Sequence, residues 1–353
     1  MSADQFCFSH LENELHRNFA ESLTNSFVQN DDLLQRLDAY CANQDINTPI
    51  AILGEIASGK SALLANWVRT RHNVSHDDEQ LFYHAIGCSR LSCQVSHLLR
   101  RLANWLLQKF DLKDAIDLSS DDKLPWILPR LLERASKKGG TAVIVLDGLQ
   151  HMKGRGLKWL PSKLPPNVRM IVSSSVSSCG DIDAMPMSEH SQQQQAKTQQ
   201  VCDEIGRRSW PILALNPLSA ESVREIVAKH LCLPAHIEEH DEIMDDLFAH
   251  PSANNPSFLT GMLQGVSTDV SGREKQYLSC ENTYDLIELI IPQLDSGLQG
   301  YGLGDSLSLL FIARHGLHEE ELFALLERIA TRSLCDEEEG VTVHIRLTFR
   351  RQQ

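Results

Sequence analysis

The chain predicts an α/β fold, a parallel sheet with helices on both faces. Three observations carry this. Between residues 48 and 216, apolar runs of strand length alternate with stretches of helical periodicity. One run, Ala142-Val-Ile-Val-Leu146, is apolar at every position, the pattern of a strand buried on both faces. Another, Pro49-Ile-Ala-Ile-Leu53, runs into Gly54 just ahead of a helical stretch.

Residues 1–47 read as a helical lead-in, with Leu33, Leu34, Leu37 and Tyr40 at helical spacing after Phe27 and Val28. The strand Pro49–Leu53 is followed by a helix from Lys60 to about Thr70. Leu81–Ile86 reads as the next strand. Leu91–Phe110 reads as a long amphipathic helix whose buried side carries Val95, Leu98, Leu99, Leu102, Trp105 and Leu106. A helix around Trp126–Ser136 precedes the Ala142–Leu146 strand, and Val168–Ser173 and Pro211–Leu215 supply two more strands. Between these last two lies Ser191-Gln-Gln-Gln-Gln-Ala-Lys-Thr-Gln-Gln200, with too few apolar side chains to offset the entropy of ordering, so residues 176–209 are expected to form a disordered loop.

After Pro217 the strand signals stop. Helical stretches near Ala220–Leu231, Glu242–Ala249 and Ser257–Gly265 make a small helical module over 217–266, followed by a linker over 267–282. The last part, 283–353, holds helices at Thr283–Leu294, Asp305–Arg314 and Glu319–Ile329. Val341, Val343, Ile345, Leu347 and Phe349 then alternate with polar residues, the period of a half-buried strand. Helices followed by a terminal strand suggest a winged-helix-like module, the alternative being a bare helical cap with a stray strand.

A chain of 353 residues exceeds the roughly 250–300 at which single cores stop growing, so a central domain with appended modules is expected. No apolar run reaches the roughly 18–20 residues of a membrane span, and the first residues lack a signal-peptide pattern, so the expected location is cytoplasmic. Nine irregularly spaced cysteines argue against a disulfide framework, and no second Cys/His pair follows Cys88 and Cys93 at zinc-finger spacing. The formal charge of −14 disfavours nonspecific nucleic-acid binding, which depends on lysines and arginines displacing phosphate counterions. Nucleotides and proteins are the expected partners, with self-association a further expectation, and no membrane.

The chemistry concentrates at Gly54-Glu55-Ile56-Ala57-Ser58-Gly59-Lys60-Ser61, a match to G-x-x-x-x-G-K-[ST] that follows an apolar strand and opens a helix, as a P-loop must. The glycines permit a backbone path that turns several N–H groups toward a phosphate, and the helix start from Lys60 through Ala62 adds a favourable dipole. Lys60 is placed to reach the β- and γ-phosphates and the Ser61 hydroxyl to ligate Mg²⁺. Asp147 closes the Ala142–Leu146 run, at the strand end where ligands of open α/β sheets collect, and is the natural second magnesium anchor. Hydrolysis would need a group to orient or deprotonate water. Gln150 could orient it but is a poor base, and His151 is expected to be exposed, so ATP turnover should be slow.

Together these residues resemble the NACHT group of STAND P-loop NTPases, in particular nephrocystin-like and repeat-bearing members, from Phe27 to about Ile329. Phe27-Val-Gln-Asn-Asp-Asp-Leu-Leu resembles the family's lead-in motif, Val143–Leu149 its magnesium strand and Val168–Ser175 its sensor strand. More specific are Leu215-Asn-Pro-Leu-Ser219, Asn255-Pro-Ser-Phe-Leu259, and the stretch from Leu307 ending in Arg314-His-Gly-Leu-His-Glu-Glu-Glu-Leu322. The resemblance implies that the backbone at Val28 approaches adenine, that Pro256 packs near the base, and that ATP/ADP exchange switches the helical and winged-helix modules between closed and open. Three departures accompany it. Gln150 and His151 stand where the family often has a second acidic residue, Ser175 stands where its sensor strand commonly ends in arginine, and repeats are not detectable. The competing readings are a scaffold that binds nucleotide without turnover, and an AAA+-like ATPase acting on DNA.

Overall fold

The computed structural model describes residues 3–24, 31–73, 78–112, 118, 120–154, 156–176, 189–231, 246–268, 274–297, 303–313, 317 and 321–329. The chain divides into two compact units, Met1–His240 with Ala253–Thr260, and Asp241–Ser252 with Gly261–Gln353.

The first unit is built on five parallel strands, β1 (Ile50–Gly54), β2 (Glu79–Ala85), β3 (Thr141–Asp147), β4 (Val168–Ser175) and β5 (Ile212–Ala214), in the spatial order β2-β3-β4-β1-β5. The helices are α1 (Ala3–Thr24), α2 (Asp31–Ala42), α3 (Lys60–Asn73), α4 (Val95–Lys109), α5 (Leu124–Ser136), α6 (Glu189–Arg207) and α7 (Ala220–Leu231), with α8 (Pro256–Thr268) beginning in this unit.

Strand alternation sends side chains to two separate cores. Ala142, Ile144 and Leu146 of β3, with Met170 and Val172 of β4, join Leu98, Leu102, Leu131 and Ile205 of α4, α5 and α6. Their neighbours Val143, Val145 and Ile171, with Ile50 and Ile52 of β1, face Leu33, Leu37, Leu63 and Trp67 of α2 and α3. This explains the unbroken apolar run at 142–146: both faces are covered. Each fully buried Leu or Ile contributes on the order of 1.5–3 kcal/mol. Tyr40 pins α2 to the sheet, its hydroxyl sharing its one hydrogen between Thr48 O and Met170 O and accepting from Met170 N.

The Gln-rich stretch differs from expectation. Residues 189–207, placed in a disordered loop by composition, form α6. Thr198, Val201 and Ile205 recur at helical spacing and are buried at 5%, 5% and 0% exposure, so a narrow stripe anchors an otherwise polar helix. The expected linker at 267–282 also holds a short helix, Glu274–Leu278.

In the second unit, Tyr277 is fully buried beside Gly265, where a Cβ would lie 2.3 Å from the Tyr277 ring. Helices Thr283–Gly297, Leu303–Ile312 and 321–329 overlap the helical stretches expected at Thr283–Leu294, Asp305–Arg314 and Glu319–Ile329. The strand expected at 341–349 lies outside the described residues.

Candidate functional site

The parallel register brings the carboxyl ends of β1, β3 and β4 to one edge of the sheet. Gly54 pairs with Ser175, Leu146 with Val172, and Ala85 with Asp147. The polar end of β4 therefore lies between the glycine turn and Asp147.

The turn from Gly54 to Ser61 holds a backbone that few sequences could. Gly59 has φ +92° and Ala57 φ 64°, both left-handed. A Cβ at Gly54 would lie 2.8 Å from Ser58 Oγ and 3.0 Å from Leu215 O, so any side chain there would force its neighbours to shift. Among the described residues, the loop's own amides are used once, Ser58 N donating to Glu55 O at 3.3 Å, and the first intrahelical bond runs from Leu63 N to Gly59 O. The amides of Lys60, Ser61 and Ala62 are thus the helix-start donors that have no acceptor within the helix. Glu55, Ile56 and Ala57 are exposed, whereas Ser58, Gly59, Ser61 and Ala62 are half-buried.

Lys60 is 7% exposed and its ammonium donates to Gly54 O (2.9 Å), Glu55 O (2.5 Å) and Ser58 Oγ (3.2 Å). Burial lowers its pKa to about 8, against the pull of Asp147, Glu55 and Cys202, which favour the charged form. Asp147, 3% exposed, accepts from Ser173 Oγ (2.5 Å) and Tyr83 OH (3.4 Å), and the Ser61 hydroxyl bonds to the same carboxyl group. Burial pushes the Asp147 pKa up, while these hydrogen bonds and the Lys60 charge pull it back. A lysine, a hydroxyl and a carboxylate from separate elements therefore converge beside a row of helix-start amides. That donor set suits a polyphosphate with a divalent cation.

Gln150 is buried on the short 3₁₀ turn after Gly148. Its Oε1 accepts from Ser175 N (3.3 Å), while Nε2 donates to Ser175 Oγ (3.3 Å) and lies 3.0 Å from His151 Nε2. An amide engaged at both ends is poorly placed to orient water, the role that sequence reasoning offered it. The Pro256 ring sits against Gly59, 3.5 Å from where a Cβ would be, and Ser257 Oγ donates to Ala57 O at 3.3 Å. Pro256 therefore flanks the second glycine of the turn. Val28 lies outside the described residues.

The turn from Ile56 to Ala62, Gln150, Ser175, Pro256 and Ser257 line one cleft of about 800 Å³, whereas the buried Asp147 is not part of that lining and meets the Ser61 hydroxyl from behind it. One end carries Lys60, Ser61, Gln150, His151 and Ser175; apolar lining comes from Phe19 and Leu23 of α1, Leu33 of α2, and Leu218 and Ile226 around α7. Sequence reasoning missed α1 as a cleft wall, and missed Ser173 and Tyr83 as partners of Asp147. Ser173 had a signal, since it lies two residues before Ser175 and so shares its face of β4; the α1 residues had none.

Fold and turn together define an α/β scaffold that carries a G-x-x-x-x-G-K-S turn at the carboxyl edge of a five-stranded parallel sheet. No family model matches the chain. Among curated proteins it is similar to nephrocystin-3 of Mus musculus, at 24% identity over 315 residues, 85% of this chain and 22% of that protein. It is similar to nephrocystin-3 of Homo sapiens at 26% over 306 residues, 82% and 21% respectively. A TPR repeat-containing protein of Dictyostelium discoideum matches at 22% over 389 residues, 89% of this chain and 22% of that protein. The chain thus spans about a fifth of the length of these relatives. Similar solved structures include the Aeropyrum pernix ORC1 protein in complex with DNA (TM-score 0.41, 13% identity, covering 90% of this chain and 80% of that one). Another is a STAND protein with a tetratricopeptide repeat sensor from Pyrococcus horikoshii (TM-score 0.38, 11% identity, 71% and 32%). Among the described residues, no helix is long and apolar enough to cross a membrane.

Proposed function

We propose that the chain binds ATP or ADP with Mg²⁺ and acts as a NACHT/STAND-type regulatory switch, with slow hydrolysis. One observation carries the reading: Lys60, the Ser61 hydroxyl and the Asp147 carboxyl meet at the open amides of a left-handed glycine turn. In this reading the amides of Gly59 through Ala62 and the Lys60 ammonium hold the phosphates, while Ser61 and Asp147 hold the metal. Magnesium, when bound, supplies the positive charge that offsets the triphosphate. Phe19, Leu23 and Ile226 offer the apolar surface that a purine requires.

A switch needs an element that senses the loop. The first turn of α8 is that element, because Ser257 Oγ donates to Ala57 O and the Pro256 ring flanks Gly59. A change in the loop's path on phosphate binding would move the start of α8, and with it the surface the helical modules present to a protein partner. The similarity to repeat-bearing proteins supports protein partners for that surface.

The competing reading is a scaffold that holds nucleotide without turnover, and the engagement of Gln150 by Ser175 and His151 favours it on the question of rate alone. Asp147→Asn separates the two. Switch function with hydrolysis requires a slow release of phosphate by the native chain that falls by about 10²-fold or more in the variant. Equal rates in both would leave only the scaffold.

A further inference from the structure

His151 follows Gln150 on the same short turn, and its environment is built rather than incidental. Two glycines with positive φ flank the ring. A Cβ at Gly148 (φ +89°) would lie 3.1 Å from His151 Cδ2, and one at Gly87 (φ +108°) 3.8 Å from its Cβ and Cγ. The Cδ2–Nε2 edge thus faces Gly148 and Gln150, so Nδ1 lies on the opposite edge of an exposed side chain that lines the same cleft as Lys60 and Ser61.

The hydrogen bonds then fix the ring's proton. Ser175 N can only donate, so the Gln150 atom it meets is the oxygen, and the atom facing His151 Nε2 is the amide nitrogen. An amide nitrogen also only donates, so His151 Nε2 accepts and the neutral ring carries its hydrogen on Nδ1. The surroundings of the ring favour its neutral form at pH 7, with burial the foremost cause. Burial lowers its pKa, and Lys197 of α6 and Lys60 of α3 lower it further, against Asp147 of β3. On the other side, Gln194 of α6 steadies the turn by donating to Gln150 O at 3.4 Å.

We infer that the Nδ1–H of His151 donates to the terminal phosphate of a bound nucleoside triphosphate, with Gln150 as the positioning residue that fixes the tautomer. The chain thereby tells triphosphate from diphosphate with a neutral donor, although β4 ends in Ser175 rather than in a cation. This inference rests on the nucleotide-binding reading above and adds to it the group that detects the γ-phosphate.

The test is calorimetry with a non-hydrolysable ATP analogue and with ADP, each with magnesium, on the native chain, His151→Ala, His151→Asn and Gln150→Leu. A hydrogen bond to a charged phosphate predicts that His151→Ala weakens the analogue roughly tenfold or more while ADP affinity stays within about a factor of two. His151→Asn, whose amide can donate from nearly the same place, recovers part of the loss. Gln150→Leu, which frees the tautomer, loses discrimination in the same direction. If His151→Ala weakens both nucleotides equally, or neither, the inference falls while the nucleotide-binding reading stands. If the native chain binds neither nucleotide, that reading falls and takes the inference with it. Matching thermal midpoints of native and variant chains tie the outcome to the missing donor rather than to misfolding.

Discussion

At Gly54 a methyl group would sit 2.8 Å from Ser58 Oγ and 3.0 Å from the Leu215 carbonyl, and the second of these is backbone that cannot swing aside. Gly54→Ala is therefore expected to cost about 1–3 kcal/mol and to weaken nucleotide binding by distorting the turn. Urea unfolding and calorimetry check this; an unchanged midpoint with unchanged affinity would contradict it. A second residue-scale consequence lies on the far side of β2. His84 is fully buried, its Nε2 on Ser92 O (3.0 Å) and its Nδ1 near Arg101 (3.1 Å), and burial, with the Arg101 and His97 charges, lowers its pKa to about 3. Beside it His16 of α1 is held far below its ordinary value by burial and by Arg101, and Glu12 is held low chiefly by His97 and Ser89 against its own burial. Above about pH 6.5 these histidines are neutral whether folded or not, so they add no pH dependence there. Between pH 6.5 and about 3 the unfolded chain takes up protons that the folded one refuses, so stability is lost as the pH is lowered, by up to ~1.4 kcal/mol per unit for each histidine. The thermal midpoint should drop from pH 7 to pH 5, and drop less in His84→Gln. Identical slopes for the two chains would refute the assignment. The P-loop residues and Asp147 were legible as residues because their chemistry is tied to local spacing. Ser173, Tyr83 and the His16–His84 pair were not, because each acts on a partner brought near only by the sheet or by α1.

Among the elements, α6 shows where composition misleads. Ten residues of mostly glutamine, lysine and threonine look unable to fold, yet the helix needs only the stripe Thr198, Val201 and Ile205 to seat against the sheet, where Gln194 and Cys202 then reach Gln150 O and Ser175 O. The eight-residue span of that stripe, at i, i+3 and i+7, was readable in the sequence but was outweighed by the polar run it begins in. Ile205→Ala is expected to cost about 2–4 kcal/mol, whereas Gln193→Ala, on the exposed side, should change stability by less than about 0.5 kcal/mol. Chemical denaturation distinguishes the two; equal small losses would mean that α6 does not depend on its buried stripe. The strands and α2 to α5 were legible because their periodicity is strong and their neighbours agree with it. Helix α4 starts at Val95, four residues later than the pattern suggested, because Ser89 and Ser92 close a polar turn ahead of it.

Across the whole molecule, the sheet order β2-β3-β4-β1-β5 sets the phosphate loop and the Asp147 strand on either side of β4, and this was not legible from the sequence. Alternating strands and helices predict a parallel sheet but not which strand stands between which. That order is what lets Ser173 bond Asp147 and Ser175 hold Gln150, so the proposed metal ligand and the proposed positioning residue owe their partners to topology. The similarity to much longer repeat-bearing proteins places the chain's partner-reading role among the proposals, and the nucleotide is the first thing to establish. Nucleotide extracted from gently purified protein addresses the central claim most directly. The account predicts close to one adenine nucleotide per chain in the native protein and none in Lys60→Ala. A native chain that carries no nucleotide and takes up none when MgATP is added, or a Lys60→Ala chain that retains as much as the native one, would contradict it.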